Sequence, residues 1–171
     1  MLTKLIATIV MAAISVVSMT RYGSLNDSYD RSRTAASSDY SFKVFYKALV
    51  GVAAVCALAA FWSNAAVLMK VYDSAFFRIV GSLASITGLA LFESAIRALG
   101  SQYSPCFDLR KPTLRVTNGP YRWLSHPMYV GNLAILLGAF IASGSIWVLA
   151  ISIVVATYYF RSADTERRLL D

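Results

Sequence analysis

Polar and apolar positions along this chain come in long blocks, not with the two-residue period of a sheet. Leu5 to Met19 is a continuous apolar run behind Lys4, and residues 21–43 are rich in Ser, Asp and Arg. Apolar blocks return at about 48–69 and 79–99, the second flanked by Arg78 and Arg97. A basic stretch with Arg110, Lys111 and Arg115 follows, broken by Pro105 and Pro112; then from Trp123 to Phe160 there is no Asp, Glu, Lys or Arg. A helix that crosses a bilayer needs about 20 mostly apolar residues, so the blocks predict crossings at about 2–20, 48–69 and 79–99. The first run is read as a helix and not as a signal peptide, because Ser18-Met19-Thr20 is a weak cleavage pattern. Residues 21–43 read as a solvated, mobile loop.

The last block is too long for one crossing. As a single helix rising about 1.5 Å per residue, Met128 to Phe160 would extend roughly 50 Å, against a hydrocarbon core of about 30 Å. Ser143-Gly144-Ser145 lies near its middle and predicts two short helices, about 128–142 and 146–160, folded as a hairpin. The expectation is therefore an all-α membrane protein, a bundle of about five transmembrane helices forming one domain over 1–171.

Composition agrees, with 57% hydrophobic and 15% charged residues and a mean hydropathy of +0.58, outside the usual soluble balance. A net charge of +7 could suggest a nucleic-acid partner, but in a membrane protein the placement of basic residues matters more than their sum. Five crossings put Arg21, Arg31, Arg33, Lys43, Lys47, Arg97, Arg110, Lys111, Arg115, Arg122, Arg161, Arg167 and Arg168 on one face, leaving Lys4, Lys70 and Arg78 on the other. By the positive-inside rule the crowded face is cytoplasmic and the N-terminus is outside. No nucleic-acid partner is expected. Cys56 lies in an apolar run and Cys106 in a polar loop, so neither a disulfide framework nor a cysteine-ligated metal is expected.

The densest chemistry is Gly119-Pro120-Tyr121-Arg122-Trp123-Leu124-Ser125-His126-Pro127-Met128-Tyr129-Val130-Gly131, which contains the only histidine and stands directly before the apolar hairpin. Polar and ionisable groups at membrane depth are a functional hypothesis by default. The hairpin returns the chain to this face, so Arg161 and Glu166 become neighbours of the segment. This combination, with Leu99-Gly100-Ser101-Gln102-Tyr103-Ser104-Pro105 upstream, resembles the integral membrane methyltransferases of the isoprenylcysteine carboxyl methyltransferase and phospholipid methyltransferase group. The resemblance covers roughly residues 95–170; the first 90 residues share only their transmembrane character.

The resemblance implies S-adenosylmethionine as cofactor, bound at the cytoplasmic end of the bundle, and a lipid-like or prenylated acceptor entering from the surrounding membrane lipids. Its cofactor site implies Tyr121, His126, Pro127, Tyr129, Gly131 and Glu166, and its catalytic groups imply Arg161, Glu166 and Arg122. The residue chemistry is compatible: such a cofactor needs cations, a carboxylate, hydrogen-bonding groups and an apolar slot, with Gly131 permitting close backbone approach. The glycine-rich strand-to-helix fingerprint of soluble nucleotide-binding folds is missing. Transfer to a carboxylate, favoured for an isoprenylcysteine-like acceptor, would use Arg161 or Arg122 to orient it. Transfer to a phospholipid amine would need a proton removed, assisted by Glu166 or His126.

Two positions depart from the family pattern, Ser125 where relatives carry Arg before His-Pro, and Thr165 where relatives carry a second acidic residue. Their joint change keeps the local charge balance if the missing pair would have faced each other. An NADPH-dependent sterol-type reductase shares a His-Pro-x-Tyr-x-Gly element, but Met128 and Asn132 stand where Asn and Glu are usual there. A non-enzymatic adaptor on the same scaffold is the third reading.

Elsewhere the plain structural readings are preferred. Glu93 and Arg97, four apart, neutralise each other. Tyr158, Tyr159 and Phe160 form one interfacial aromatic belt, and Trp62, Tyr72, Phe76 and Phe77 the opposite one. Arg167 and Arg168 meet anionic headgroups. Gly51, Ala53, Ala54, Ala57, Ala59 and Ala60 permit close helix packing.

Overall fold

The computed structural model of the chain describes residues 1–28, 32, 35–38, 40–63, 69–105, 108–110 and 116–170, with backbone alone for 22–23, 26–28, 35–38, 40–43, 108–110, 166 and 169–170. Among the described residues five α-helices carry the fold: α1 Leu2–Ser28, α2 Tyr40–Trp62, α3 Ala75–Leu99, α4 Pro127–Ser143 and α5 Ile146–Leu170. Segments of α1, α2, α3 and α5 are long and apolar enough to cross a membrane, and α4 is a shorter apolar helix. The protein is an all-α integral membrane protein.

Helix limits differ from those expected at the water-facing ends. α1 runs on to Ser28 through residues read as loop, because Arg21 and Leu25 have partners on the bundle: Arg21 pairs with Glu93, and Leu25 packs against buried side chains of α2 to α5. α2 starts at Tyr40 and stops at Trp62, earlier at both ends than expected. The start carries Tyr46 into the core, and after the stop the Trp62 indole donates to Thr8 Oγ1 at 2.9 Å. α3 begins at Ala75, not 79. α5 continues past Phe160 to Leu170, helped by an Asp164–Arg168 pair one turn apart at 2.8 Å.

Neighbouring helices follow the order α1, α2, α5, α4, α3 and back to α1, with α2 also touching α4 across the ring. The closest seam is α3 against α4. A Cβ on Gly81 would lie 2.4 Å from the Gly138 carbonyl oxygen, and one on Gly88 would lie 2.7 Å from that of Gly131. The two pairs share a seven-residue spacing, so one stripe of each helix lets the backbones touch. Ser85 adds a hydrogen bond from its hydroxyl to the Ile135 carbonyl, 3.0 Å. Gly51 has no such role, since its nearest contact would be Met19 Cε at 3.8 Å; the alanines of α2 that are buried are Ala53, Ala57 and Ala60.

The hairpin between α4 and α5 turns where Ser143-Gly144-Ser145 predicted. Gly144 is left-handed at φ 70° and donates to the Phe140 carbonyl at 2.7 Å, a glycine helix cap. Lys70 pairs with Ser145 as an isolated antiparallel bridge, and the Tyr72 hydroxyl donates to the Phe140 and Ile141 carbonyls. Burial pushes the Tyr72 phenol above its usual value, which keeps it a donor.

At the other end a short antiparallel ribbon, β1 Ala35–Ser38 with β2 Asp108–Arg110, links the α1–α2 and α3–α4 connections. The hydropathy pattern predicted no strand, and this ribbon is two strands wide, unable to carry a nucleotide-binding turn. Cys106, Lys111 and Arg115 lie outside the described residues, as does the Arg110 side chain.

Candidate functional site

Chemistry-bearing residues gather at the ribbon end. A 3-10 turn, Gly119–Arg122, leads into Ser125, and His126 takes the N-cap position of α4 with Pro127 first in the helix. Proline suits that position because its fixed φ matches the helix and the N–H it lacks would have no partner in the first turn. The turn therefore delivers His126 at a defined point, half-buried, above α4.

From His126 a stack of rings runs into the bundle. The His126 and Tyr129 rings lie 5.5 Å apart at 10°, and Tyr129 lies 4.6 Å from Tyr159 at 10°. The Tyr159 hydroxyl meets that of Tyr46 at 2.9 Å, so side chains tie α4, α5 and α2 together at this end. Offset stacks contribute about 0.5–1.5 kcal/mol beyond burial. Tyr159 is 2% exposed; the expected belt role is corrected for it, although Phe160 beside it faces outward. Tyr121 and Tyr158 pack against the same buried cluster.

The other candidate residues divide by exposure. Pro127 is fully buried, and Arg122 and Arg161 are exposed. Arg161 lies two positions beyond Tyr159 on α5. Buried Val155, Tyr159 and Ser162 define the inward stripe of α5, and at 4, 3 and 4 residue steps the next position is Glu166, whose side chain lies outside the described residues. Thr165 is occupied on its own helix, its hydroxyl donating to the Arg161 carbonyl at 3.1 Å, while Ser125 is exposed.

Gly131 packs against α3: a Cβ there would meet the Gly88 oxygen and the Phe92 nitrogen, both at 2.8 Å. Glu93 requires a correction. Its carboxylate is gripped by Arg21 through two hydrogen bonds of 3.0 Å, and not by Arg97, which is exposed. The contact fixes α1 on α3 at this end, and sequence spacing gave no signal for it because the partners are 72 residues apart. The seven-residue repeat of Gly81 and Gly88 with Gly131 and Gly138 was a readable signal for the α3–α4 seam that the hydropathy blocks obscured.

The His126–Tyr129–Tyr159 stack, the α3–α4 seam and the cations Arg122 and Arg161 all lie between residues 81 and 161, and that region is what comparison identifies. A phospholipid methyltransferase family model matches residues 76–171. No curated protein and no solved structure matches the chain. The match covers more than half of the sequence and spans α3 from its second residue through α4 and α5, and on it the chain belongs to the phospholipid methyltransferase family of membrane methyltransferases.

Proposed function

We propose that the chain transfers a methyl group from S-adenosylmethionine to a lipid-like acceptor at the end of the bundle that carries His126. The observation that carries this reading is the His126–Tyr129–Tyr159 stack, flanked by Arg122 and Arg161, inside the family-matched region. The donor set fits such a cofactor: aromatic and imidazole rings suit an adenine, guanidinium groups suit a carboxylate, and a glutamate at position 166 suits an ammonium or ribose. Tyr121, His126, Pro127, Tyr129 and Glu166 would form that cradle, with Gly131 acting indirectly by setting the α3–α4 distance. When bound, the cofactor supplies an electrophilic methyl on a sulfonium.

The protein's own share is positioning and exclusion of water. The close α3–α4 seam and the ring stack between α4 and α5 hold the three helices at fixed separation, and oriented reactants can be worth about 7–11 kcal/mol. Arg122 and Arg161 orient an anionic headgroup or carboxylate at the exposed margin. With an amine acceptor, the ring nitrogen of His126 or the Glu166 carboxylate takes the proton released. The family's description favours a phospholipid amine over the isoprenylcysteine carboxylate, and methyl transfer over nicotinamide-dependent reduction. The crowded basic face, which includes this end, is assigned to the cytoplasm on charge placement, with the N-terminus outside.

The test is transfer of radiolabelled methyl from S-adenosylmethionine to a panel of membrane lipids and prenylcysteines. Label in a phospholipid amine is the expected result. Label in a prenylcysteine alone would replace the acceptor, and no label with either class, together with lipid-dependent NADPH oxidation, would overturn the reading.

A further inference from the structure

The end opposite His126 holds a charge cluster that the methyl-transfer reading does not use. Lys4 of α1, Lys70 of the α2–α3 connection and Arg78 of α3 converge on one carboxylate, Asp73. The ammonium groups lie 3.3 and 3.0 Å from it, Arg78 donates directly to it, and the Arg78 guanidinium also reaches Thr3 Oγ1 at 3.3 Å. Arg78 is 8% exposed. These are the three basic residues of the sparse face, gathered at a single point.

Their charge is not balanced by the chain. Asp73 is the only acidic residue between Asp39 and Glu93, and none occurs before Asp27 or between Asp108 and Asp164. Three cations against one carboxylate leave two positive charges. Helix polarity adds to the excess. α1, α3 and α5 all begin at this end, none with an acidic residue in its first turn. Lys4 and Arg78 thus occupy first turns, where the macrodipole favours anions and opposes cations. Largely desolvated cations need a counter-charge; the Lys70 and Arg78 side chains are each 10% exposed, and they share one carboxylate with the more exposed Lys4.

The cluster's surroundings say where the missing anion comes from. Trp62, Phe76 and Phe77 are exposed beside it at the ends of apolar crossing helices, the depth at which aromatic belts meet lipid headgroups. We propose that Lys4, Lys70 and Arg78 form a binding site for the phosphate group of a membrane phospholipid, on the face of the bundle opposite the methyl-transfer end. The occupant completes the charge set that Asp73 begins and ties α1 to α3 at that face, so the bundle is held together there partly by a lipid.

Native mass spectrometry of the full chain with phosphatidylglycerol, beside melting curves in detergent, tests this independently of whether methyl transfer is correct. Wild type is expected to retain the lipid and to melt higher in its presence. Lys4→Gln and Lys70→Gln should each weaken retention about fivefold, and Asp73→Asn should retain lipid more tightly while melting lower without it. Lys4→Gln keeps the buried Arg78 in place, so the test does not hang on a variant that fails to fold. Equal retention in all folded variants would overturn the proposal. Displacement of the lipid by millimolar inorganic phosphate would assign the site to a free anion and overturn the lipid assignment.

Discussion

At the Gly144 end, α4 and α5 are joined by a left-handed glycine and backbone hydrogen bonds to the 69–71 segment, whereas at the His126 end the same helices meet through a stack of rings. The first arrangement uses backbone groups that bond within the chain, and it sets the register of the hairpin. The second leaves an imidazole at the end of the stack and two guanidinium groups exposed beside it. A fold that fixes its geometry at one end can hold reactive groups at the other without asking them to carry stability as well.

That contrast breaks most severely at the seam between the two ends. Gly138→Leu should prevent recovery of folded protein, and Gly138→Ala should cost about 1–3 kcal/mol or more, because any Cβ there would approach the Gly81 oxygen to 2.6 Å. Gly51→Ala, where a Cβ would meet only Met19 Cε at 3.8 Å, should be neutral or stabilising by up to about 1 kcal/mol. Melting curves of the three variants in one detergent give the comparison, and equal losses at Gly138 and Gly51 would remove the seam from the account.

Next in size is the ion pair that docks α1 at the site end. Glu93→Gln is expected to lose about 1.5–3 kcal/mol, the range for hydrogen bonds to charged groups, while Arg97→Gln stays within about 0.5 kcal/mol. A loss at Arg97 equal to that at Glu93 would restore the intrahelical pairing. Within the stack, Tyr159→Phe removes one hydrogen bond to Tyr46 and should cost about 1 kcal/mol, read by the same melts.

The smallest effect belongs to the opposite end and depends on pH. Burial raises the Asp73 carboxyl, but hydrogen bonds from Lys70 and Lys4 and the charges of Lys70 and Arg78 outweigh it, so the group sits below its usual value. A depressed folded value means the stabilisation is complete above the unfolded value, about pH 4, and fades as pH falls through the folded one. Wild type should therefore lose more stability than Asp73→Asn on acidification below about pH 4. Parallel acid titrations of the two proteins would contradict this.

How much of this the sequence disclosed depends on the range of the interaction. The hairpin was legible because Ser143-Gly144-Ser145 interrupts an uncharged run too long for the bilayer, and the shared end of His126 and Arg161 followed from charge placement. Tyr159 was misread because an aromatic residue near a helix end looks the same from sequence whether it faces lipid or a neighbouring ring. Glu93 was misassigned because a partner four residues away is visible along one helix and a partner on α1 is not. The polar residues after Thr20 stay helical through contacts made at long range, which local propensity does not record.

The central claim is that the His126 end binds the methyl donor, and calorimetry of S-adenosylhomocysteine with wild type and His126→Ala in detergent addresses it most directly. The account predicts saturable binding to wild type, affinity weakened by tenfold or more in the variant (about 1.4 kcal/mol or more), and melting temperatures that nearly coincide. Unchanged affinity in the variant, or no binding to folded wild type, would contradict it.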